Sequence, residues 1–158
     1  GWMERLYPIG EGLKPRRALY CIADPYMAFW FRYIFPNKSD LELGNIESVM
    51  ERMKGDYEVY LGTVFEQLFR ENLWHLAMKG LLPIHPKSVG HWWFRDQEID
   101  AVALDETQPS AAFFEVKWGS LKEAEAKRIL QTLERKAQDF RWRRENRTEY
   151  LGLLAKKV

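Results

Sequence analysis

A chain of 158 residues with 46% hydrophobic and 15% aromatic side chains carries enough apolar material for one domain, or one domain with a small appended piece, which excludes a disordered chain. Its 24 basic and 23 acidic side chains leave a net charge of +1, so global charge gives no case for a nucleic-acid or membrane partner and any basic surface must be local. The one cysteine, Cys21, excludes an internal disulfide and a cysteine-rich zinc site, and reads as a reduced, buried thiol of an intracellular, cytoplasmic protein. No apolar run is long enough to span a bilayer, and no secretory signal opens the chain.

Residues 1–9 and 18–23 read as two short strands around a basic turn, "GEGLKPRR", marked by Gly10, Gly12 and Pro15. The opening "WMERLYPI" reads as a strand entered mid-stream, hence as part of a longer polypeptide. "DPYMAFWFRYIFPN" predicts a helix with Asp24 at the N-cap and Pro25 in the first turn, ended by Pro36-Asn37. It is apolar almost all round, which predicts burial on more than one side; packing between two parts of a larger protein is favoured over base stacking. A shorter amphipathic helix follows, with Ile46, Val49, Met50 and Met53 on one face.

The next helix runs over roughly 57–79, with Leu61, Phe65, Leu68 and Leu76 at three- and four-residue steps, and Gly80 stops it. "LLPIHPKSVG" reads as a loop and "HWWFR" as a strand. "DQEIDAVALDE" and "SAAFFEVKW" read as two strands around Thr107, Gln108 and Pro109. A helix over about 121–146 carries Ala126, Ile129, Leu130, Leu133, Ala137 and Phe140 as its core stripe, and "YLGLLAKKV" closes as a strand. From residue 57 the order is helix, three strands, helix, strand: an α/β pattern with the last helix as a crossover.

"FFEVKW" places Phe113, Glu115 and Lys117 on one face of a strand. If Asp105 pairs with Ser110, residues 106–109 form a four-residue loop, and the register sets Asp100 opposite Glu115, with β-carbons about 5 Å apart. Two carboxylates there repel unless something positive separates them, and Lys117 or a divalent cation would serve. The same register pairs Glu98 with Lys117, so a second reading is an exposed face with one ion pair worth under about 1 kcal/mol. Three features favour the metal: the apolar flanks (Ile99, Ala101, Ala103, Phe114, Val116, Trp118), the acids' place before the crossover helix, and a third carboxylate, Glu66. Gly62, one turn before Glu66, would leave open space on that face; the plain reading of Glu66 is an intrahelical pair with Arg70. His75, His85 and His91 are scattered and read as ordinary surface or loop residues, and no Ser-His-Asp or Cys-His set is convincing.

Taken together, "GTVFEQLFREN", "HWWFRDQEIDAVA" and "FFEVKW" resemble the PD-(D/E)xK nuclease superfamily. More closely, with "YCIADPYMAFWFRYIFPN", the chain over roughly 18–158 resembles the C-terminal domain of unknown function of archaeal AAA-type ATPases. The resemblance implies an α/β, restriction-endonuclease-like α-β-β-β-α-β core with a mixed central sheet over residues 57–158. Ahead of it would stand a small helical and β-hairpin extension: residues 1–23 as a winged-helix remnant and 24–56 as a helical linker packing on the core.

The resemblance further implies catalytic roles for Asp100, Glu115, Lys117 and Glu66. Asp100, Glu115 and Glu66 would hold Mg²⁺ or Mn²⁺, Lys117 would orient a water, and Gln131 is an accessory candidate. Ile99 stands where the name-giving proline would be, a position at which many members vary. The activity implied is a metal-dependent DNA phosphodiesterase, endonuclease-like; the alternative is a catalytically silent DNA-binding or regulatory module. No phosphate-binding loop is present, so ATP hydrolysis would belong to ATPase and winged-helix parts outside these residues. Oligomerisation is left open. For DNA, the stretch 135–147 offers Arg135, Lys136, Arg141, Arg143, Arg144 and Arg147 as phosphate contacts along a helix; a solvated face or a contact to the ATPase part remain alternatives.

Overall fold

The computed structural model describes residues 2–12 and 17–157. Strands β1 (Met3–Leu6) and β2 (Leu19–Ile22) pair antiparallel as a small separate sheet. In the turn between them Gly10 and Gly12 take positive φ, as glycines there should; Lys14, Pro15 and Arg16 lie outside the described residues. Cys21 is half-buried rather than buried, and free.

Asp24 caps helix α1 (Pro25–Phe29), its carboxylate accepting from the Met27 N–H at 2.9 Å. The helix does not stop at Pro36-Asn37: a π-helical turn (Trp30–Ile34) and a 3₁₀ turn (Phe35–Asn37) lead into α2 (Lys38–Glu42). The expected all-round burial is not found either. Tyr33 alone is buried on that stretch, bonded to Asp56 and set edge-on to Tyr60, while Tyr26, Trp30, Phe31 and Phe35 are exposed. Helix α3 (Ile46–Lys54) buries only Val49 of its apolar face, leaving Ile46 and Met50 exposed.

Helix α4 (Tyr57–Met78) is followed by β3 (Ser88–Phe94), β4 (Gln97–Asp105) and β5 (Ser110–Ser120), then α5 (Glu123–Asp139) and β6 (Thr148–Lys157). The sheet order is β3-β4-β5-β6, antiparallel except for the β5–β6 pair that α5 connects. This is a mixed α/β domain with a four-stranded mixed sheet, and β3 starts three residues earlier than the sequence suggests.

Strand β4 from Ile99 and strand β5 up to Val116 are buried throughout, which only strands covered on both faces can be. On one face Leu133, Ala137 and Phe140 pack on Trp92, Ile99, Val102, Leu104, Ala111 and Phe113. On the other, Phe69 and Leu73 of α4 pack on Ala101, Ala103, Ala112, Phe114 and Val116. Each large side chain so buried contributes about 1.5–3 kcal/mol. The α4 stripe is therefore Phe65, Phe69, Leu73 and Ala77, and Leu68, expected in it, is exposed. Gly152 accommodates this packing, since a Cβ there would sit 2.4 Å from the Phe114 ring.

The segment after β1 straps across the sheet edge. Pro8 is fully buried, the Ile9 N–H donates to the His91 carbonyl at 3.0 Å, and Arg17 lies 4.5 Å above the Phe94 ring. No helix among the described residues is long and apolar enough to cross a membrane.

Candidate active site

Counting through the loop set the β4–β5 register correctly as far as it runs. Asp105 pairs with Ser110, Val102 with Phe113 and Ala101 with Phe114. The ladder ends there, one step before Asp100 and Glu115. In its place the Asp100 carboxylate accepts the Val116 N–H at 2.8 Å, and the Asp100 carbonyl accepts from Arg70 Nη1 of α4 at 2.8 Å. The backbone groups of the opened strands are thus satisfied by side chains, and a buried polar position is kept without an orphan.

A β-bulge in the β3–β4 ladder lies beside the opening. Gly90 pairs with Val102 and Trp92 with Ile99, so Asp100 and Ala101 together face one residue, His91. The extra residue flips the alternation: Ile99 packs with Val102 on the α5 face, while Ala101 packs on the α4 face. Glu98 is thrown out of step with Lys117. Its side chain is 66% exposed and lies 3.7 Å from His91 Nε2, so the expected Glu98–Lys117 pair does not form. His91, half-buried on β3 rather than on a loop, has its pKa lowered to about 4 by burial and by the Arg70 charge, so it is neutral at pH 7.

Asp100 and Glu115 are both 5% exposed. Lys117 Nζ sits 3.0 Å from Glu115 Oε2 and 3.6 Å from Asp100 Oδ2. Lys136 of α5 reaches the other Glu115 oxygen, Oε1, at 2.5 Å. Burial raises the Asp100 pKa and the Glu115 charge adds to it, outweighing the Val116 N–H and Lys117. Burial alone would lower the Lys117 pKa, but Asp100 and Glu115 carry it upward.

Glu66, half-buried on α4, makes no hydrogen bond or ion pair with a described residue; Arg70, its expected partner, is bonded to Asp100 instead. Burial first, then the Asp100 charge, raises its pKa to about 7. A Cβ added at Gly62 would meet the Trp118 Cβ at 3.8 Å, an ordinary contact, so the helix has room there and its approach to β5 does not require glycine. Among the described residues, no group of three or more His, Cys, Asp or Glu side chains is arranged to hold a metal.

The expected basic helix is broken. α5 ends at Asp139, because Phe140 turns extended and packs edge-on against Trp92 and Phe113. Arg147 caps the end: its side chain is fully buried and donates to the carbonyls of Ala137, Phe140 and Trp142, so it serves the fold rather than a DNA surface. Lys136 belongs to the carboxylate site. Arg135 is exposed on α5, and Arg141, Arg143 and Arg144 are exposed on the following turn, where with Glu145 and Asn146 they line a shallow concavity. That turn precedes Thr148, which pairs with Ser110, whereas Glu115 pairs with Leu153. Five strand residues separate the two levels, about 17 Å. A second groove, of about 480 Å³ and lined in part by His85, Asp105, Gln108 and Tyr150, lies at that same far end of the sheet.

Sequence reasoning put Lys136 on a DNA surface and Arg70 beside Glu66, and missed that Lys136 reaches Glu115 and Arg70 the Asp100 carbonyl. Lys136 lies three residues after Leu133 and one before Ala137, beside the buried stripe, and that spacing was the available signal. Gln131 is exposed and makes no hydrogen bond among the described residues.

No solved structure matches the chain. An uncharacterized protein of Methanocaldococcus jannaschii is 43% identical over 136 residues, 86% of this chain. The chain spans 30% of that protein's length. The model of the DUF234 family, archaea bacterial proteins of unknown function, matches residues 30–129, more than half of the chain. The chain therefore belongs to the DUF234 family.

Proposed function

We propose that this domain is a metal-dependent DNA phosphodiesterase of the PD-(D/E)xK type on a restriction-endonuclease-like core. The observation that carries the reading is the pair of buried carboxylates, Asp100 and Glu115, flanking Lys117 where a bulge interrupts the sheet. A buried pair of acids repels and costs stability, and bulges recur beside active sites, where they re-aim side chains.

The donors suit a hard cation. Mg²⁺ commonly takes one or two carboxylates and completes its octahedron with water and substrate phosphate oxygens, so a three-carboxylate cage is not required. Asp100 and Glu115 would hold it, and among the described residues Asp100 Oδ1 carries no hydrogen bond. When bound, such an ion supplies Lewis acidity at the phosphate and acidifies a water. Lys117, its ammonium held by both carboxylates, would orient that water and offset charge on the phosphate. Glu66, with a pKa of about 7, can take up or release a proton near neutrality at the edge of the site. Arg135, Arg141, Arg143 and Arg144 would hold DNA phosphates away from the cleaved one.

In full-length proteins of the family we place an ATPase and a winged-helix part ahead of this domain, on the resemblance to archaeal AAA-type ATPases; the M. jannaschii relative, of which the chain spans 30%, has the length for further parts. The test is cleavage of plasmid and branched DNA by the full-length protein with Mg²⁺ or Mn²⁺, against Asp100→Ala and Lys117→Ala. Loss in both variants is expected; cleavage that survives both substitutions removes the proposed site. One observation favours a second reading, a DNA-binding module that cuts nothing: both Glu115 oxygens are already held by lysines. DNA binding without cleavage under every metal condition would select it.

A further inference from the structure

We propose that Lys136 is a built-in counter-ion that competes with the divalent cation for Glu115 and moves to a phosphodiester oxygen when the cation binds. The inference rests on the metal-site reading above and adds to it how the site is held before metal and DNA arrive.

Glu115 is 5% exposed, and each of its oxygens faces an ammonium: Oε2 at 3.0 Å from Lys117, Oε1 at 2.5 Å from Lys136. Asp100, equally buried, shares Lys117 at 3.6 Å. Two carboxylates and two ammoniums balance, with Arg70 on the Asp100 carbonyl and Glu66 at the edge as a further cation and acid. A divalent cation added to this cluster would leave a positive excess around two carboxylates that are 5% exposed, which is unfavourable. Two changes restore the balance: an ammonium leaves its carboxylate, and an anion enters with the metal.

The lysines differ in how easily they leave. Lys117 is held by both carboxylates, whereas among the described residues Lys136 pairs with Glu115 alone. Lys136 also comes from another element, α5, on a flexible four-carbon stem with its side chain 21% exposed, so it can turn outward without disturbing β5. One phosphodiester of the DNA supplies the incoming negative charge, and a neighbouring one gives the displaced ammonium a new partner. Metal and DNA should then bind synergistically, with Lys136 as the link.

The test is Mn²⁺ binding to the full-length protein, by electron paramagnetic resonance or calorimetry, with and without a short DNA duplex. Wild type should bind Mn²⁺ at least about tenfold more tightly with the duplex than without it. Lys136→Gln should bind Mn²⁺ alone about tenfold more tightly than wild type and gain less from DNA. Lys136→Arg keeps the charge and should behave as wild type. Equal Mn²⁺ affinity of Lys136→Gln and wild type overturns the proposal, as does Lys136→Arg shifting as far as Lys136→Gln. Asp100→Asn separates the two readings. If it abolishes Mn²⁺ binding while Lys136→Gln changes nothing, the metal site stands and the role of Lys136 falls. If Asp100→Asn binds Mn²⁺ as wild type does, both fall.

Discussion

Asp100 and Asp105 lie five residues apart on the same strand and are almost equally buried, at 5% and 4% exposure, yet their pKa values move in opposite directions. Asp105 closes the hairpin: its carboxylate accepts from the Thr107 and Gln108 N–H groups and the Thr107 hydroxyl, and the Thr107 bond holds its pKa below the ordinary range. Asp100 has one N–H bond and a neighbouring carboxylate, and burial with the Glu115 charge pushes its pKa up. Fractional exposure alone therefore does not set the pKa of a strand acid. The two differ first in how strongly their surroundings desolvate the charge and then in how many local donors it has been given.

The largest expected effect tests the Asp100 end. Asp100→Asn keeps an oxygen for the Val116 N–H but removes a charge that the fold disfavours. DNA cleavage should fall by about 10³-fold or more, while urea unfolding at pH 8 shows unchanged or higher stability. A variant that loses both activity and stability would make Asp100 a structural acid after all. Glu66→Gln comes next. The folded pKa of Glu66 is about 7, above its ordinary 4.5, so the folded state holds a proton that the unfolded chain releases in that window. Stability should then fall as pH rises from about 4.5 to 7, with the whole penalty present above that range. Glu66→Gln should gain on the order of 2 kcal/mol at pH 8 and nothing at pH 4, read from paired denaturation curves.

At the hairpin end, Asp105→Ala should cost about 1–2 kcal/mol at neutral pH through its lost turn bonds, with Mn²⁺ affinity unchanged. Because the Asp105 pKa is lowered, that cost should shrink as acid titrates the carboxylate, opposite in sign to Glu66. Gly62→Ala is the smallest. Its Cβ would make an ordinary contact with Trp118, so a change within about 1 kcal/mol, in the stabilising direction, is expected from helix propensity. A large loss of cleavage there would show that the room at Gly62 is used by the site.

Much of the architecture was legible because it is written in short-range patterns. Alternation along 110–118, the glycine after α4 and the apolar stripe from Ala126 to Phe140 gave the element order. A four-residue loop between Asp105 and Ser110 gave the β4–β5 register, and through it the acids Asp100 and Glu115. The aromatic face of residues 26–35 is exposed here: periodicity reports that a face is apolar, not that this chain supplies its cover.

The chain by itself determined which side chains could carry chemistry and on which elements they stand, since composition, loop length and period are local. Tertiary structure alone decided the bulge that pairs Asp100 and Ala101 with His91, the end of α5 at Asp139 under the cap of Arg147, and the arrival of Lys136 at Glu115. Each depends on a partner strand, a buried ring or an ion pair distant in sequence. A one-residue offset between strands costs little locally, but it moves every following side chain to the other face.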